Sequence, residues 1–221
     1  MPIELDVLRR IPLFAELEPA DLTHVAAVTR ERRYDRGEII LVEGERAGAF
    51  QYVYSGLVKV YKTSPEGKEQ VLRLIGSGHT FNDVPAFDGG PNPASAAAME
   101  PSVIYSVGRA QLQQLMLERP AIAAGAVRTL ASALRHLVSL VEDLSFRHVT
   151  ERVAKILLDQ EEAAAEGQPP HRLTQQEMAA MAGTAREMVG RALKDLEASG
   201  AIAMRQGRAV VLDRERLRLL A

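Results

Sequence analysis

The stretch that decides the fold is LTQQEMAAMAGTAREMVGRALKDLEASGAI, Leu173–Ile202. It opens on the tetrapeptide TQQE, 174–177, a capping box that predicts the start of a short helix. Gly183 can then supply the positive φ that a sharp junction between two helices requires. A second helix is predicted to run to about Ser199, where Gly200 ends it. The pattern predicts a helix-turn-helix.

The second of these helices has two chemically different faces. Its apolar face, which should be buried, consists of Met188, Val189, Ala192, Leu193 and Leu196. Its polar face has the same spacing and consists of Arg186, Glu187, Gly190, Arg191 and Lys194. A helix that enters the major groove of DNA needs such a division, because one face holds it to its own domain and the other meets the bases.

The polar face matches the chemistry of base and phosphate recognition. An arginine near a helix start can bond to O6 and N7 of guanine, and a glutamate can accept a hydrogen bond from a cytosine amino group. Gly190 permits close approach of the helix to the bases, and Lys194 is better placed to contact a phosphate. Two alternatives stay open: a solvated face stabilised by a Glu187–Arg191 pair, or a second capping box between Thr184 and Glu187.

A predicted hairpin follows the second helix. Ala201–Met204 and Ala209–Leu212 are short β-type runs joined by Arg205-Gln206-Gly207-Arg208, so the tip carries two arginines. Such a hairpin after a helix-turn-helix predicts a winged module whose basic tip suits the phosphate backbone. The candidate backbone contacts are Thr174, Gln175, Thr184, Lys194, Arg205 and Arg208.

Composition restricts the remaining possibilities. The 221 residues are 47% hydrophobic and 25% charged, with a formal net charge of −2, which is typical of a globular protein rather than a general polyanion binder. Without cysteine, no disulfide or thiolate metal site can form. The acids and arginines near the amino terminus are unlike a signal peptide, and no apolar run is long enough to cross a membrane. A cytoplasmic location without membrane association is expected.

Before the helix-turn-helix, the sequence first has a β-type pattern and then a helical pattern. From about Arg30 to Gly108, short β-type runs alternate with glycines, which predicts a barrel or jelly roll. A short amphipathic helix, Pro19–Arg30, precedes them, and a long helix, Pro120 to about Phe146, follows them. A further helix, Val149–Ala165, leads into the breaker stretch EGQPPH.

The long helix carries an apolar seam with heptad spacing. Its members are Val127, Leu130, Leu134, Leu137, Val141 and Leu144. A helix packed on its own domain can show the same stripe, so a homodimer is favoured mainly because the seam lies between two predicted domains.

Together these features resemble the cyclic-AMP receptor protein / fumarate-and-nitrate-reduction regulator family over essentially the whole chain. The stretch GTAREMVGRALKDLE is similar to the R-E-x-V-G-R signature of the cyclic-AMP receptor branch, and Leu144–Leu157 is similar to the family's hinge. The resemblance implies an α+β chain with a jelly-roll sensor at 1–118, a dimerisation helix at 119–146 and a winged helix-turn-helix at 147–221. It further implies a dimeric transcription regulator, not an enzyme, that acts as a promoter activator.

By the same resemblance, Arg186, Glu187 and Arg191 would contact bases in TGTGA-like half-sites of an inverted repeat. Double-stranded DNA, a second copy of the chain and RNA polymerase are the expected partners. In the family, an exposed loop before the helix-turn-helix contacts the polymerase, and Glu166–His171 occupies that place.

The sensor half departs from the pattern of nucleotide-binding members, whose phosphate cassette has the form F-G-E-L followed by R-[ST]-A. Asn82 stands in place of the glycine, Asp83 in place of the glutamate, and Pro93-Ala94-Ser95 where the arginine belongs. No Arg or Lys lies between Arg73 and Arg109, although a buried phosphate requires a cation. On the long helix, Leu137 and Val138 stand where the family places polar residues against adenine. Cyclic AMP is therefore not the expected ligand.

The effector of the sensor half stays open among several alternatives. We expect an apolar pocket with no ligand and no cofactor, ahead of a small apolar or acidic metabolite. Haem remains an alternative through His24, His79, His136 or His148, although His79 is more simply a surface turn residue. From a different class, a ligand-binding regulatory module for a protein partner would need the missing cassette arginine, and a jelly-roll enzyme would need a catalytic constellation that the sequence lacks.

Overall fold

The structure, a computed structural model, describes residues 3–46, 48–165, 173–205 and 207–221. Two compact units make up the chain. One comprises the chain up to Lys62 together with Arg73–Leu137, and the other comprises Thr63–Leu72 and Val138–Ala221. The division on the long helix falls between Leu137 and Val138.

The first part of the chain begins with two short helices and continues as a two-sheet β structure. The helices are α1 (Leu5–Arg9) and α2 (Pro19–Val28). The strands are β1 (Thr29–Tyr34), β2 (Ile39–Leu41), β3 (Ala49–Ser55), β4 (Leu57–Thr63), β5 (Glu69–Gly76), β6 (Thr80–Phe81), β7 (Ser95–Ala98) and β8 (Ser102–Gly108). A short helix, α3 (Asp83–Asp88), lies between β6 and β7.

The strands form two four-stranded sheets, with strand orders β1-β8-β3-β6 and β2-β7-β4-β5. Strand β8 pairs antiparallel with β1 and β3, and β7 pairs antiparallel with β2 and β4. Side chains from both sheets, among them Val53, Val58 and Ile75, share one buried cluster. This arrangement confirms the predicted jelly roll, because two antiparallel sheets enclose a common core.

Helices follow the β structure. They are α4 (Arg109–Glu118), α5 (Pro120–Phe146), α6 (Val149–Ala165), α7 (Gln175–Ala182), α8 (Arg186–Ala198) and α9 (Arg214–Leu219), with the hairpin β9 (Ile202–Arg205) and β10 (Arg208–Val211) between α8 and α9. The predicted bounds of α5 and α6 are confirmed. Helix α9 was not predicted. It is capped by Asp213, whose carboxylate accepts a hydrogen bond from the Arg216 N–H at 2.9 Å, and it buries Leu217.

A separate hydrophobic core holds the carboxy-terminal helices together. It contains Val153 and Leu157 of α6, Met178 of α7, Leu193 of α8 and Leu217 of α9. Apolar residues at helical spacing on each of these elements meet in this core, and their burial supplies most of its stability.

Candidate functional site

The first helix of the predicted helix-turn-helix is capped as its sequence indicates. The Thr174 hydroxyl accepts a hydrogen bond from the Glu177 N–H at 3.2 Å, and the Glu177 carboxylate accepts one from the Thr174 N–H at 2.6 Å. Gly183 caps the other end of α7 with φ of 61°. A side chain is strained at this φ, so Gly183 permits the sharp turn into α8.

Helix α8 separates its two faces clearly. Val189, Ala192, Leu193 and Leu196 are at most 2% exposed, whereas Arg186, Glu187, Arg191 and Lys194 are exposed. Gly190 lies among these polar residues, and a Cβ built on it would meet only the Gln175 side-chain oxygen, at 3.8 Å. The exposed face therefore begins at the amino-terminal end of α8, where major-groove contacts are made by recognition helices.

One member of the predicted apolar face is misplaced. Met188 was expected to be buried but is 38% exposed. It lies one residue before the first buried position, at the edge of the stripe, where the side chain is only partly covered. The prediction that all five apolar residues are buried is wrong at this position.

The alternative role for Glu187 is not observed. The N-cap of α8 is Ala185 rather than Thr184, and no side chain caps the helix. Within the described residues, neither Glu187 nor Arg186 forms a hydrogen bond or an ion pair with another part of the chain. Both charged groups are therefore available for contacts outside the chain.

The hairpin forms where the sequence predicts it. Arg205 of β9 lies opposite Arg208 of β10 at the tip of the hairpin, and both side chains are exposed. Gly207 has φ of 75°. Gln206 lies outside the described residues. Two neighbouring arginines leave the tip strongly positive, which favours contact with a polyanion.

The remaining candidates for DNA-backbone contact lie around the same two helices. Thr174 is exposed at the start of α7, with its hydroxyl engaged in the capping box, and Gln175 follows it half-buried. Thr184 is half-buried in the turn between α7 and α8. Glu166–His171, the expected polymerase-contacting stretch, lies outside the described residues.

Arg152 of α6 braces the turn between α7 and α8, a role that was not predicted from the sequence. Its Nε donates a hydrogen bond to the carbonyl oxygen of Ala182 at 2.7 Å, and its Nη1 donates one to the carbonyl oxygen of Arg147 at 2.5 Å. The available signal was a charged residue directly before the buried pair Val153-Ala154. Such a residue in a packed helix must find partners.

The predicted seam on α5 is largely exposed in the single chain. Val127, Leu134 and Val141 are 62–66% exposed, Leu137 and Leu144 are 46% and 39% exposed, and Leu130 is half-buried. Leu137 lies at the end of the first compact unit, and Val141 and Leu144 lie in the second. Exposed apolar side chains at heptad spacing are typical of a helix that pairs with another helix.

The altered cassette has left-handed backbone geometry at Asn82, the residue that stands in place of the glycine. Asn82 has φ of 60° and is the only non-glycine residue with positive φ in the described chain. Asparagine tolerates this conformation better than most residues, and the Asn82 side-chain amide donates a hydrogen bond to the carbonyl oxygen of Ala49 at 3.2 Å. Asn82 therefore stabilises the turn at the start of α3.

The cassette segment that lacks its arginine is held by other contacts. The Ser95 hydroxyl accepts a hydrogen bond from the Glu43 N–H at 3.0 Å, and Ala94 is buried. The Pro93 carbonyl accepts one from the ammonium of Lys62 at 3.3 Å. Lys62 does not replace the arginine, because it is exposed and paired with the Glu43 carboxylate.

Asp83 departs from the expectation of an apolar pocket. Its side chain is buried, 7% exposed, and its Oδ1 has no hydrogen-bond partner among the described residues. Burial raises the pKa of Asp83 from 3.8 to about 6, while a hydrogen bond from Thr80 and the nearby Arg73 lower it. The jelly roll therefore holds a buried carboxyl group where a purely apolar interior was expected.

We expect Asp83→Asn to stabilise the protein at neutral pH. A carboxyl group whose pKa is raised on folding favours the folded state below its unfolded pKa and loses that contribution as pH rises through its folded pKa. A rise in the pKa of Asp83 from 3.8 to about 6 corresponds to a loss of about 3 kcal/mol of folding free energy at neutral pH. Asparagine carries no charge, so the variant does not suffer this loss. In urea unfolding, the free energy of unfolding of the variant should exceed that of the parent protein, and this difference should fall by about 2 kcal/mol between pH ~7.5 and ~4.5.

The exposed carboxylate of Asp195 offers a matched control for this prediction. Asp195→Asn removes one exposed carboxylate and so controls for the change in net charge. A difference between Asp83→Asn and the parent that is the same at both pH values would show that the Asp83 carboxyl is not desolvated in the folded state.

The candidate haem-ligating histidines lie at the surface. His24, His79, His136 and His148 are all exposed, and His79 Nδ1 lies 3.2 Å from the carbonyl oxygen of Ser77. Within the described ranges, no group of three or more His, Cys, Asp or Glu side chains is placed to hold a metal ion. In the same ranges, no helix is long and apolar enough to cross a membrane.

Two family models match the chain. Residues 31–119 match the cyclic nucleotide-binding domain family, and residues 151–220 match the Crp-like helix-turn-helix domain family. The chain is thus a transcription regulator with a cyclic nucleotide-binding-like domain and a helix-turn-helix DNA-binding domain, and not an enzyme.

Full-length relatives define the family. The chain is 33% identical over 220 residues to the CRP-like cAMP-activated global transcriptional regulator of Mycobacterium tuberculosis, covering 96% of this chain and 97% of the relative. It is 32% identical over 197 residues to the cyclic AMP receptor protein of Thermus thermophilus, covering 89% and 90%. The structure of FixK2 from Bradyrhizobium japonicum matches with a TM-score of 0.78 and 27% identity, covering 87% and 97%. The chain belongs to the cyclic-AMP receptor protein / fumarate-and-nitrate-reduction regulator family.

Proposed function

We propose that the protein is a dimeric, sequence-specific transcription regulator that inserts α8 into the major groove at TGTGA-like inverted repeats and activates promoters. The observation that carries the proposal is the exposed face of α8. Arg186, Glu187 and Arg191 lie there without intramolecular hydrogen bonds or ion pairs in the described chain, while the opposite face is buried. Arginine and glutamate at these positions match the donor and acceptor pattern of G·C pairs.

The exposed seam of α5 supports the dimer. Five apolar side chains that face solvent in one chain would be buried against their copies in a second. A two-fold axis along the seam would place two α8 helices about 34 Å apart, one turn of DNA, as an inverted repeat requires. We assign the jelly roll to 1–118, the dimerisation helix to 119–146 and the DNA-binding domain to 147–221.

Backbone contacts would come from residues around α8. Lys194 lies a turn beyond the base-contacting residues, and Arg205 and Arg208 lie at the tip of the hairpin. Thr174, Gln175 and Thr184 flank the same surface. RNA polymerase is the expected protein partner, and the cytoplasm is the expected location.

Cyclic AMP is not proposed as the effector, although relatives are named as cAMP-activated. A cyclic phosphate needs a cation in the cassette, and the residues that take the arginine's place are Pro93, Ala94 and Ser95. Leu137 and Val138, at the adenine-facing positions of α5, present only apolar atoms.

A gel-shift experiment tests both parts of this proposal. The purified protein, without added ligand, should retard a duplex carrying TGTGA-N6-TCACA in preference to a scrambled duplex of the same composition. Added cyclic AMP should leave the retarded fraction unchanged. Equal retardation of both duplexes at all salt concentrations would contradict sequence recognition, and retardation that requires cyclic AMP would contradict the assignment of the cassette.

We expect Lys194→Ala to weaken binding to every DNA sequence alike. The ammonium would contact a phosphate, so its loss removes one released counterion and lowers the slope of log affinity against log salt by about 1. Fluorescence anisotropy on the operator and on scrambled DNA, at several salt concentrations, measures both quantities. A loss confined to the operator would place Lys194 against a base instead.

A further inference from the structure

The hairpin β9–β10 depends on the rest of its domain for its orientation. A hairpin of two strands is marginally stable by itself in water. Ile202, Ala209 and Val211 contact the carboxy-terminal core, whereas the two arginines at the tip are exposed. Apolar contacts therefore hold the body of the hairpin, and polar contacts close to the tip help to set the direction in which the tip projects.

Glu197 of α8 makes such a polar contact. Its Oε1 accepts a hydrogen bond of 2.8 Å from the N–H of Met204, the residue directly before Arg205. N–H groups along an antiparallel strand point alternately towards the partner strand and away from it. The Met204 N–H points away from β10, since it donates to α8. The bond therefore ties the outer edge of β9 to the helix, and the charge of the carboxylate strengthens it.

The position of Glu197 is unfavourable for the helix itself. Glu197 is the second-last residue of α8, where the carbonyl groups of the helix end carry a partial negative charge. A carboxylate there is repelled by the helix end, and it would also repel the phosphates of DNA that α8 approaches. The hydrogen bond to β9 supplies a reason for an acceptor at this position.

A second polar contact fixes the start of the hairpin. Nη1 of Arg216, on α9, donates a hydrogen bond of 2.6 Å to the carbonyl oxygen of Ser199, the C-cap of α8. A cation at the carboxy-terminal end of a helix is favourable. Arg216 thus holds the hairpin close to its start, and Glu197 holds it close to its tip.

We propose that Glu197 is a positioning residue that sets the angle of the hairpin against α8, so that Arg205 and Arg208 reach DNA phosphates while α8 lies in the major groove. The proposal rests on the backbone contacts proposed above for these two arginines. Glu197 itself does not contact DNA. Arginines on a fixed hairpin need less ordering on binding than arginines on a mobile one, so the Glu197–Met204 bond increases affinity for DNA of any sequence.

Anisotropy measurements of duplex binding by the full-length protein test this role. Glu197→Ala removes the acceptor and should weaken binding at least about 3-fold on operator and scrambled DNA alike, because each phosphate contact strengthens binding about 5-fold between about 1 M and ~0.15 M salt. Glu197→Gln keeps an acceptor oxygen and should bind at least as tightly as the parent protein. If Glu197 acted only through its charge, both substitutions would raise the affinity equally.

A double-mutant cycle identifies the contacts through which Glu197 acts. Arg205→Gln combined with Arg208→Gln should weaken binding about 10-fold or more and lower the salt slope by about 2. In that background, Glu197→Ala should have no further effect. The cycle is measured on scrambled DNA as well as on the operator. A missing preference for TGTGA-N6-TCACA, which would contradict the proposed recognition sequence, is therefore seen separately from a missing coupling.

The fold of each variant is checked by circular dichroism and urea unfolding. Glu197 is exposed and alanine is a strong helix former, so Glu197→Ala should fold. Glu197→Leu, which also lacks an acceptor, should reproduce the loss and replaces the alanine variant if that variant unfolds. Asp195→Ala removes another exposed carboxylate of α8 and should not weaken binding.

Four results would each overturn the proposal. They are parent-like binding by Glu197→Ala, an equal loss in Glu197→Gln and Glu197→Ala, parent-like binding by the variant without the two tip arginines, and a loss on Glu197→Ala that persists in that variant.

Discussion

Leu134→Glu is expected to convert the protein from a dimer to a monomer and to lower its affinity for the inverted repeat by about 100-fold or more. Leu134 is 62% exposed in the single chain and lies in the middle of the α5 seam. In a symmetric dimer its side chain would meet the seam of the second copy, so the substitution buries two carboxylates in an apolar contact. A monomer loses the second half-site, and tethering two binding modules raises apparent affinity by about 10²–10⁴.

Ser132→Glu is the matched control for this variant. Ser132 is exposed on the same helix but lies two residues from Leu134, on the opposite side from the seam. The control variant should remain dimeric and bind the operator like the parent protein. Sedimentation equilibrium and fluorescence anisotropy measure the two quantities. A dimeric Leu134→Glu variant with unchanged operator affinity would contradict the assignment of the seam.

Arg186→Ala is expected to cost about 1–3 kcal/mol in operator binding and to relax discrimination at one base pair of each half-site. Arg186 is the first residue of α8, is exposed, and has no intramolecular hydrogen bond or ion pair in the described chain, so the substitution should leave the fold intact. The loss should be confined to sequences that carry the guanine it contacts.

Anisotropy on the operator and on its single-base-pair variants measures this effect. Lys194→Ala serves as the control on the same helix, since its loss should be equal for all sequences. If Arg186→Ala lowers affinity equally for the operator, its variants and scrambled DNA, then Arg186 contacts phosphate and not a base edge.

Local patterns were sufficient to predict the helix-turn-helix. The capping box at Thr174–Glu177, the positive φ of Gly183 and the apolar stripe of α8 are short-range features, and the structure confirms each of them apart from Met188. Met188 was misjudged because residues at the edge of a stripe are buried or exposed according to the neighbouring helices. Helix α9 was missed because only one of its residues, Leu217, is fully buried.

The sensor half was harder to predict because its chemistry depends on strand pairing. The absence of an arginine from the cassette is visible in the sequence, but the pairing partners and register of the strands are not. The burial of Asp83 likewise depends on how α3 follows β6. Sequence spacing alone therefore predicted an apolar interior, whereas packing places the carboxyl group of Asp83 there.

In the proposed complex, two copies of α8 contact guanines in successive major grooves. Dimethyl sulfate methylates guanine N7 in the major groove, so protection from methylation in the complex with TGTGA-N6-TCACA reports this contact directly. We expect the half-site guanines to be protected in both halves of the repeat, and Arg186→Ala to restore methylation at one guanine in each half. A retarded complex in which all of these guanines stay fully reactive would contradict the claim.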